Sequence, residues 1–121
     1  MIVLTTTSQL LRVSAGDVSS SALQCTGVYF DQLPQSLASI QRRANQFSST
    51  STSANISAVS APSADNIVRN IEHFTAHNAT STTATIRIRI VDGALERHLV
   101  STALTSGQSA VYEHGTGWQV L

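Results

Sequence analysis

The four histidines are the side chains best suited to chemistry in this 121-residue chain. His73 and His77 stand four apart, which on a helix would place both rings on one face as a metal pair. The zinc-protease pattern is His-Glu-x-x-His with the Glu as general base, but here Glu72 precedes His73, so the base is misplaced. On a strand the two rings share a face yet sit about 13 Å apart, too far for one ion bound at about 2 Å. His98 and His114 fall in later segments and could reach His73 or Glu113 only across a sheet. Glu72 and Glu96 are the candidate carboxylate pair for glycoside chemistry. That chemistry needs a set separation and an enclosed cleft, and a chain this short has little room for both cleft and core.

Nucleophiles fare no better. Cys25 is the single cysteine, so a disulfide framework and an all-cysteine metal site are excluded. It lies in an alternating apolar stretch, where a thiol reads as a small buried hydrophobe. Ser and Thr make up about a quarter of the chain, too many for any one to stand out, and no Gly-x-Ser-x-Gly elbow occurs. Gly115-Thr116-Gly117 lacks the strand, glycine loop and helix order of a dinucleotide site. The expectation is a protein with no catalytic residue, no cofactor and no metal.

One cluster remains, in the closing YEHGTGWQVL: Tyr112, Glu113, His114 and Trp118. It has two readings. Trp118 is a core or interface anchor of a closing strand, or Tyr112, His114 and Trp118 form an aromatic platform for a sugar. Aromatics are only 5 % of the chain, barely enough to fill its own core, which favours the first.

The elements that would position these residues follow from alternation. Thr83 to Val91 is the clearest strand, with Ile86, Ile88 and Ile90 on one face and Arg87 and Arg89 on the other. Asp92-Gly93 is a hairpin signal, and Leu95 to Leu104 returns beside it. Ser106-Gly107 turns into a short strand from Ser109 to Tyr112, and Gly115-Thr116-Gly117 turns again before Trp118 and Val120. Earlier, Leu10 to Val13 reads as a strand or arm ended at Ala15-Gly16-Asp17. Ala22 to Phe30 is a strand with Leu23, Cys25, Gly27 and Tyr29 on one face, closed by Asp31-Gln32-Leu33-Pro34. Gly27 marks a weak point or a close approach by another backbone. Asn55 to Val59 is short. Asn66 to His77 changes its apolar face, which predicts a bulge near Ile71 and Glu72; a helix is the competing reading, since Ile67, Ile71 and Phe74 are spaced four and three. For Gln35 to Phe47, Leu37, Ile40 and Ala44 lie near helical spacing, so helix and extended loop both stand; Ser48 to Ser53 reads as a loop or a short edge strand.

Short strands with turns every eight to twelve residues point to one all-β domain over residues 1–121, a small sandwich or jelly roll of about eight antiparallel strands. Its expected core is Ile86, Ile88, Ile90, Leu99, Val111 and Trp118. Charged residues are 12 % of the chain, with seven Arg, no Lys and no net charge. Arg42-Arg43 is the one adjacent basic pair, so nucleic acid is not an expected partner. No stretch is apolar enough to cross a membrane, and the start lacks the charged and apolar segments of a signal peptide. A hydroxyl-rich, nearly neutral surface puts up little charge barrier to association, and no Lys blunts the sheet edges, so a homo-oligomer is expected, dimer or trimer. Residues 1–13 carry Ile2, Val3, Leu4, Leu10, Leu11 and Val13. They are too apolar for a free tail and should fold over their own domain or reach a neighbour as an arm. Candidate interface residues are Leu10, Leu11, Arg87, Arg89 and Trp118.

The second half has a familiar order: Ala61-Pro62, His77-Asn78, Thr85-Ile86-Arg87-Ile88, Leu104-Thr105-Ser106-Gly107, Tyr112 and Gly117-Trp118. Over residues 58 to 121 it resembles small β-domain virion proteins of tailed bacteriophages. The family pattern often has Tyr before the Asn, where this chain has His77. The resemblance implies a structural, non-enzymatic role as a capsid decoration or cement protein, with the major capsid or a tail protein as partner. It also implies localisation in the virion after synthesis in the host cytoplasm. The alternative is a carbohydrate- or host-surface-binding module of a tail fibre.

Overall fold

Alternation decides the architecture of this chain. The computed structural model describes residues 2–15, 23–32, 42–49 and 55–121. Among these, ten antiparallel strands form two sheets: β1 (Ile2–Leu4), β2 (Gln9–Ala15), β3 (Leu23–Gln32), β4 (Arg42–Ser49), β5 (Ile56–Val59), β6 (Val68–Asn78), β7 (Ala84–Asp92), β8 (Leu95–Leu104), β9 (Ser109–Glu113) and β10 (Gly117–Val120). One sheet runs β10-β9-β6-β3-β4, with β1 also on β6; the other runs β5-β2-β7-β8. The all-β expectation holds, with ten strands instead of about eight.

The sheets share one core. Leu11, Val13 and Ala15 of β2 stand opposite Ile90, Ile88 and Ile86 of β7, so the inner face of this central strand pair is aliphatic. It meets Leu23, Cys25, Ile71, Phe74, Ala76, Ala110 and Tyr112 of the larger sheet. Ile86 and Ile88 are fully buried, while Ile90, Leu99 and Trp118 pack on the rim of the core. Val111 is a correction. Its neighbours Ala110 and Tyr112 point inward, so Val111 faces outward over β10. Three apolar residues in succession give no alternation from which the inward parity could be chosen.

The predicted face switch in β6 is a bulge. Val28 of β3 pairs with His73 and Tyr29 with Ile71, leaving Glu72 as the extra residue. Below the bulge Arg69 and Ile71 are buried; above it Phe74, Ala76 and Asn78 are. The helix reading of this segment is thereby overturned. So is the helix-or-loop reading of 35–47 where it can be compared: Arg42–Ser49 is a strand paired with β3 over eight positions. The rest of that question, at 35–41, lies outside the described residues, as do Gly16-Asp17, Leu33-Pro34 and 50–53.

Residues 2–15 are built into their own domain. β1 pairs with β6, and β2 is an inner strand of the smaller sheet. Asp92-Gly93 forms the expected β7–β8 turn, with Gly93 at a φ of 60° that a side chain would strain.

Gly27 is where β5 approaches β3. A Cβ there would lie 2.6 Å from Val59 Cγ2, and Val59 is a stiff β-branched side chain with no exposure. Gly27→Ala should therefore destabilise the domain by about 1–3 kcal/mol in chemical denaturation. Adding Val59→Ala should return part of that loss, although Val59→Ala alone destabilises. A double variant no better than the sum of the two singles would show that the clash is not the cause.

Candidate functional site

The alternation of β6 sorts its histidines. His73, Thr75 and His77 lie on the outer face, opposite buried Phe74, Ala76 and Asn78. His73 Nε2 is 2.8 Å from Thr75 Oγ1, and its Nδ1 is 3.4 Å from a Glu113 carboxylate oxygen on β9. His77 Nδ1 is 2.8 Å from Ser109 Oγ, also on β9. The Ser–His contact is one the sequence does not announce, because the two residues meet only through the β6–β9 register. It sits on an open sheet face, and Ser109 Oγ and the His77 ring serve each other as hydrogen-bond partners. His98 and His114 are exposed and lie elsewhere. Among the described residues, no three His, Cys, Asp or Glu side chains converge on a common point. Glu72 sits in the β6 bulge and Glu96 on β8 of the other sheet, where it is salt-bridged to Arg89. Cys25 is buried, and burial pushes its thiol pKa up to about 12.

The closing cluster divides by parity. Tyr112 and Trp118 face the core, with ring centroids 5.2 Å apart and Trp118 edge-on to Phe74 at 6.3 Å. The Tyr112 hydroxyl accepts the Ile2 N–H at 3.0 Å. Glu113 and His114 point into solvent. The four residues are adjacent in sequence but do not form one site.

The candidate interface residues also separate. Leu11 is fully buried in the core of its own chain. Leu10 is half-buried on the opposite face of β2. Arg87 is exposed, so its guanidinium is open to a neighbour. Arg89, on the same strand, is only 9 % exposed. It donates to Glu96 Oε2 and Asn55 Oδ1, each at 2.8 Å, and more weakly to Ser14 Oγ at 3.4 Å. Its two terminal nitrogens are bonded within the chain, while Nε is buried without a partner.

Two polar clusters that the sequence leaves unmarked hold the ends of β6. At its start, Arg69 forks onto both oxygens of Asp31 (2.8 and 2.9 Å), donates to the Ser60 and Ala61 carbonyls (2.7 and 3.2 Å) and lies 4.1 Å above the Tyr29 ring. The hydrogen bond to Asp31 raises the Arg69 pKa further above its usual value. At its end, Asn78 is completely buried and fully bonded. These are structural clamps.

What is left open is one side of the sandwich. On the other side β5 lies along β4, and the Gln46 amide spans them, donating to the Ser57 carbonyl and accepting the Ser60 N–H. Where β8 faces β9 and β10, no such bridge stands among the described residues. Val100, Thr102, Ala110, Trp118, Gln119 and Val120 line a slot of about 90 Å³. Val120 is 47 % and Leu121 68 % exposed beside it. Leu95 at the β7–β8 turn and Phe47 on β4 are each 75 % exposed. Large apolar groups at sheet edges are suited to contact with protein. No helix among the described residues is long and apolar enough to cross a membrane. Compared with protein-family models, with curated proteins and with solved structures, the chain matches none of them.

Proposed function

We propose that this chain is a structural component of a tailed-phage particle, a decoration or cement protein that acts through contacts with its own copies and with a major capsid or tail protein. The phage assignment rests on the resemblance of residues 58 to 121. The observation that carries the contact role is the exposure of Phe47, Leu95, Val120 and Leu121 at the sheet edges. Arg69, Asn78, Arg89, Tyr112 and Trp118 each hold strands together, and among the described residues the histidines stand on open faces without converging with other ligating side chains. We accordingly read the protein as a non-enzyme.

Within the two-sheet class we read a small β-sandwich. Three connections, β3–β4, β7–β8 and β9–β10, are hairpins within a sheet and the other six cross between sheets, so the sandwich is the coarser reading and a jelly-roll order stays compatible with it. The tail-fibre sugar module loses its main support, because Tyr112 and Trp118 turn toward the core and leave His114 alone outside.

The test is binding to purified particles. The protein should co-sediment with capsids at a fixed stoichiometry and raise the temperature at which they release their contents. Binding to a glycan panel with no affinity for particles would overturn the assignment.

A further inference from the structure

We infer that β10 is a self-pairing edge, and that two copies join across a two-fold axis at Gln119 to make one continuous sheet. The inference rests on the assembly reading above and specifies its contact.

The ladder determines which peptide groups are free. Ser109 and Leu121 exchange both backbone hydrogen bonds, at 2.8 and 2.9 Å. In an antiparallel ladder such doubly bonded pairs alternate with unbonded ones. Gln119 and Gly117, opposite Val111 and Glu113, therefore also turn their peptide groups toward β9. Trp118 and Val120 turn theirs the other way, to an edge on which no strand lies among the described residues. Each has one N–H and one C=O to satisfy there.

A second copy of the same edge fits this pattern. With the axis at Gln119, Trp118 of one copy pairs with Val120 of the other, and all four outward groups of each copy are bonded. Shifting the axis to Trp118 would set Val120 against Thr116 in the turn and forfeit its bonds. The central pair is then Gln119 with Gln119, an unbonded ladder position where the side chains come closest. A carboxamide carries both donors and an acceptor and can bond to its own copy, as a charged side chain cannot. Next to it, Trp118 meets Val120, an aromatic on a β-branched partner.

Charge agrees. The wall formed by the four-residue β10 and the ten-residue β8 is about 14 Å long on one strand and about 34 Å on the other, on the order of 500 Å². That is smaller than the roughly 800 Å² per partner of a standard interface, which fits a dimer that forms at tens of micromolar. Its centre, Val100, Thr102, Trp118 and Val120, is uncharged. Glu96, Arg97 and His98 lie at one end of β8, so the two-fold places the charged ends of the two copies at opposite ends of the wall.

Light scattering on the purified chain should give a dimer at tens of micromolar. Gln119→Arg sets like charges on the axis and should weaken dimerisation at least tenfold, with an unfolding curve unchanged at dilutions where both proteins are monomeric, since the side chain is exposed. Gln119→Cys should form an intermolecular disulfide under mild oxidation, while Thr83→Cys on a distant turn should not. A dimer or trimer that neither Gln119 variant affects would overturn the β10 contact and leave the assembly role standing. A monomer that still binds particles, with its edge taken by a capsid strand, would do the same. A monomer that ignores particles would remove both.

Discussion

Replacing Arg69 by Met should lower the stability of this domain by about 3–5 kcal/mol, read from urea unfolding followed by tryptophan fluorescence. Met fills much of the volume, so the loss reports the polar contacts. Arg69 makes four hydrogen bonds, to Asp31, Ser60 and Ala61, from an almost buried position. Without it the Asp31 carboxylate loses its charge partner and two carbonyls lose their donor, and unmatched groups of this kind each cost about 1–3 kcal/mol when buried. Arg69→Lys should recover only a minor part, because an ammonium cannot fork onto both carboxylate oxygens and reach the carbonyls as well. A loss below about 1 kcal/mol for Arg69→Met would show that the clamp is solvated and dispensable.

Asn78→Ala should cost about 3 kcal/mol by the same measurement. The Asn78 side-chain nitrogen donates to the Thr82 and Leu104 carbonyls at 2.8 and 2.9 Å, and its oxygen accepts the Thr80 N–H and hydroxyl at 3.0 and 2.6 Å. Its own peptide group joins the turn before β9, through Gln108 and Gly107. One residue thus ties the end of β6 to the start of β7, the end of β8 and the approach to β9. Asn78→Asp is the sharper probe. A carboxylate there would face two carbonyls in place of two donors, so the folded state would hold it protonated with a raised pKa. A group whose folded pKa is raised is tolerated at low pH and loses stability as pH rises through the unfolded carboxyl range and beyond. The Asp variant should therefore fall further below the parent protein at pH 7 than at pH 4. A difference that does not change with pH would mean that water reaches the site.

The two clamps occupy corresponding places. The chain crosses from β5 in the smaller sheet to β6 in the larger one, and from β6 back to β7. Arg69 holds the first crossing and Asn78 the second. Backbone leaving a sheet loses its ladder partners, and side chains have to supply them.

The sequence made legible whatever alternates against a buried face. The three isoleucines of β7, the Asp92-Gly93 turn and the face switch at Glu72 could all be read because each is a local pattern of apolar residues. β4 could not. Its sequence Arg42-Arg43-Ala44-Asn45-Gln46-Phe47-Ser48-Ser49 has no apolar alternation, and Phe47 is exposed. It is a strand because β3 offers it a partner, and Leu37, Ile40 and Ala44 lent it an unrelated helical spacing. The polar clamps stayed hidden for another reason: Arg69 meets Asp31 across 38 positions and Asn78 meets Leu104 across 26. A lone Arg or Asn in a strand reads as surface until its partner is placed. The Tyr112 to Trp118 cluster was legible as a closure through its glycine turn, but the inward parity of Tyr112 needed the register with Phe74.

One edge of β6 is completed by two segments from distant parts of the chain, β1 at Ile71 to Arg69 and β9 at His73 to His77. They lie end to end, joined by the Ile2 N–H on the Tyr112 hydroxyl across 110 positions. A ribosome delivers the first of these long before the second. Ile2–Leu4 can find β6 only after some 70 residues have emerged, and its tyrosine partner comes later still, so little of the core can be assembled vectorially. Contacts this remote in sequence place folding on the order of milliseconds to seconds, largely after synthesis. During that interval the nascent strands are open to chaperones and to one another.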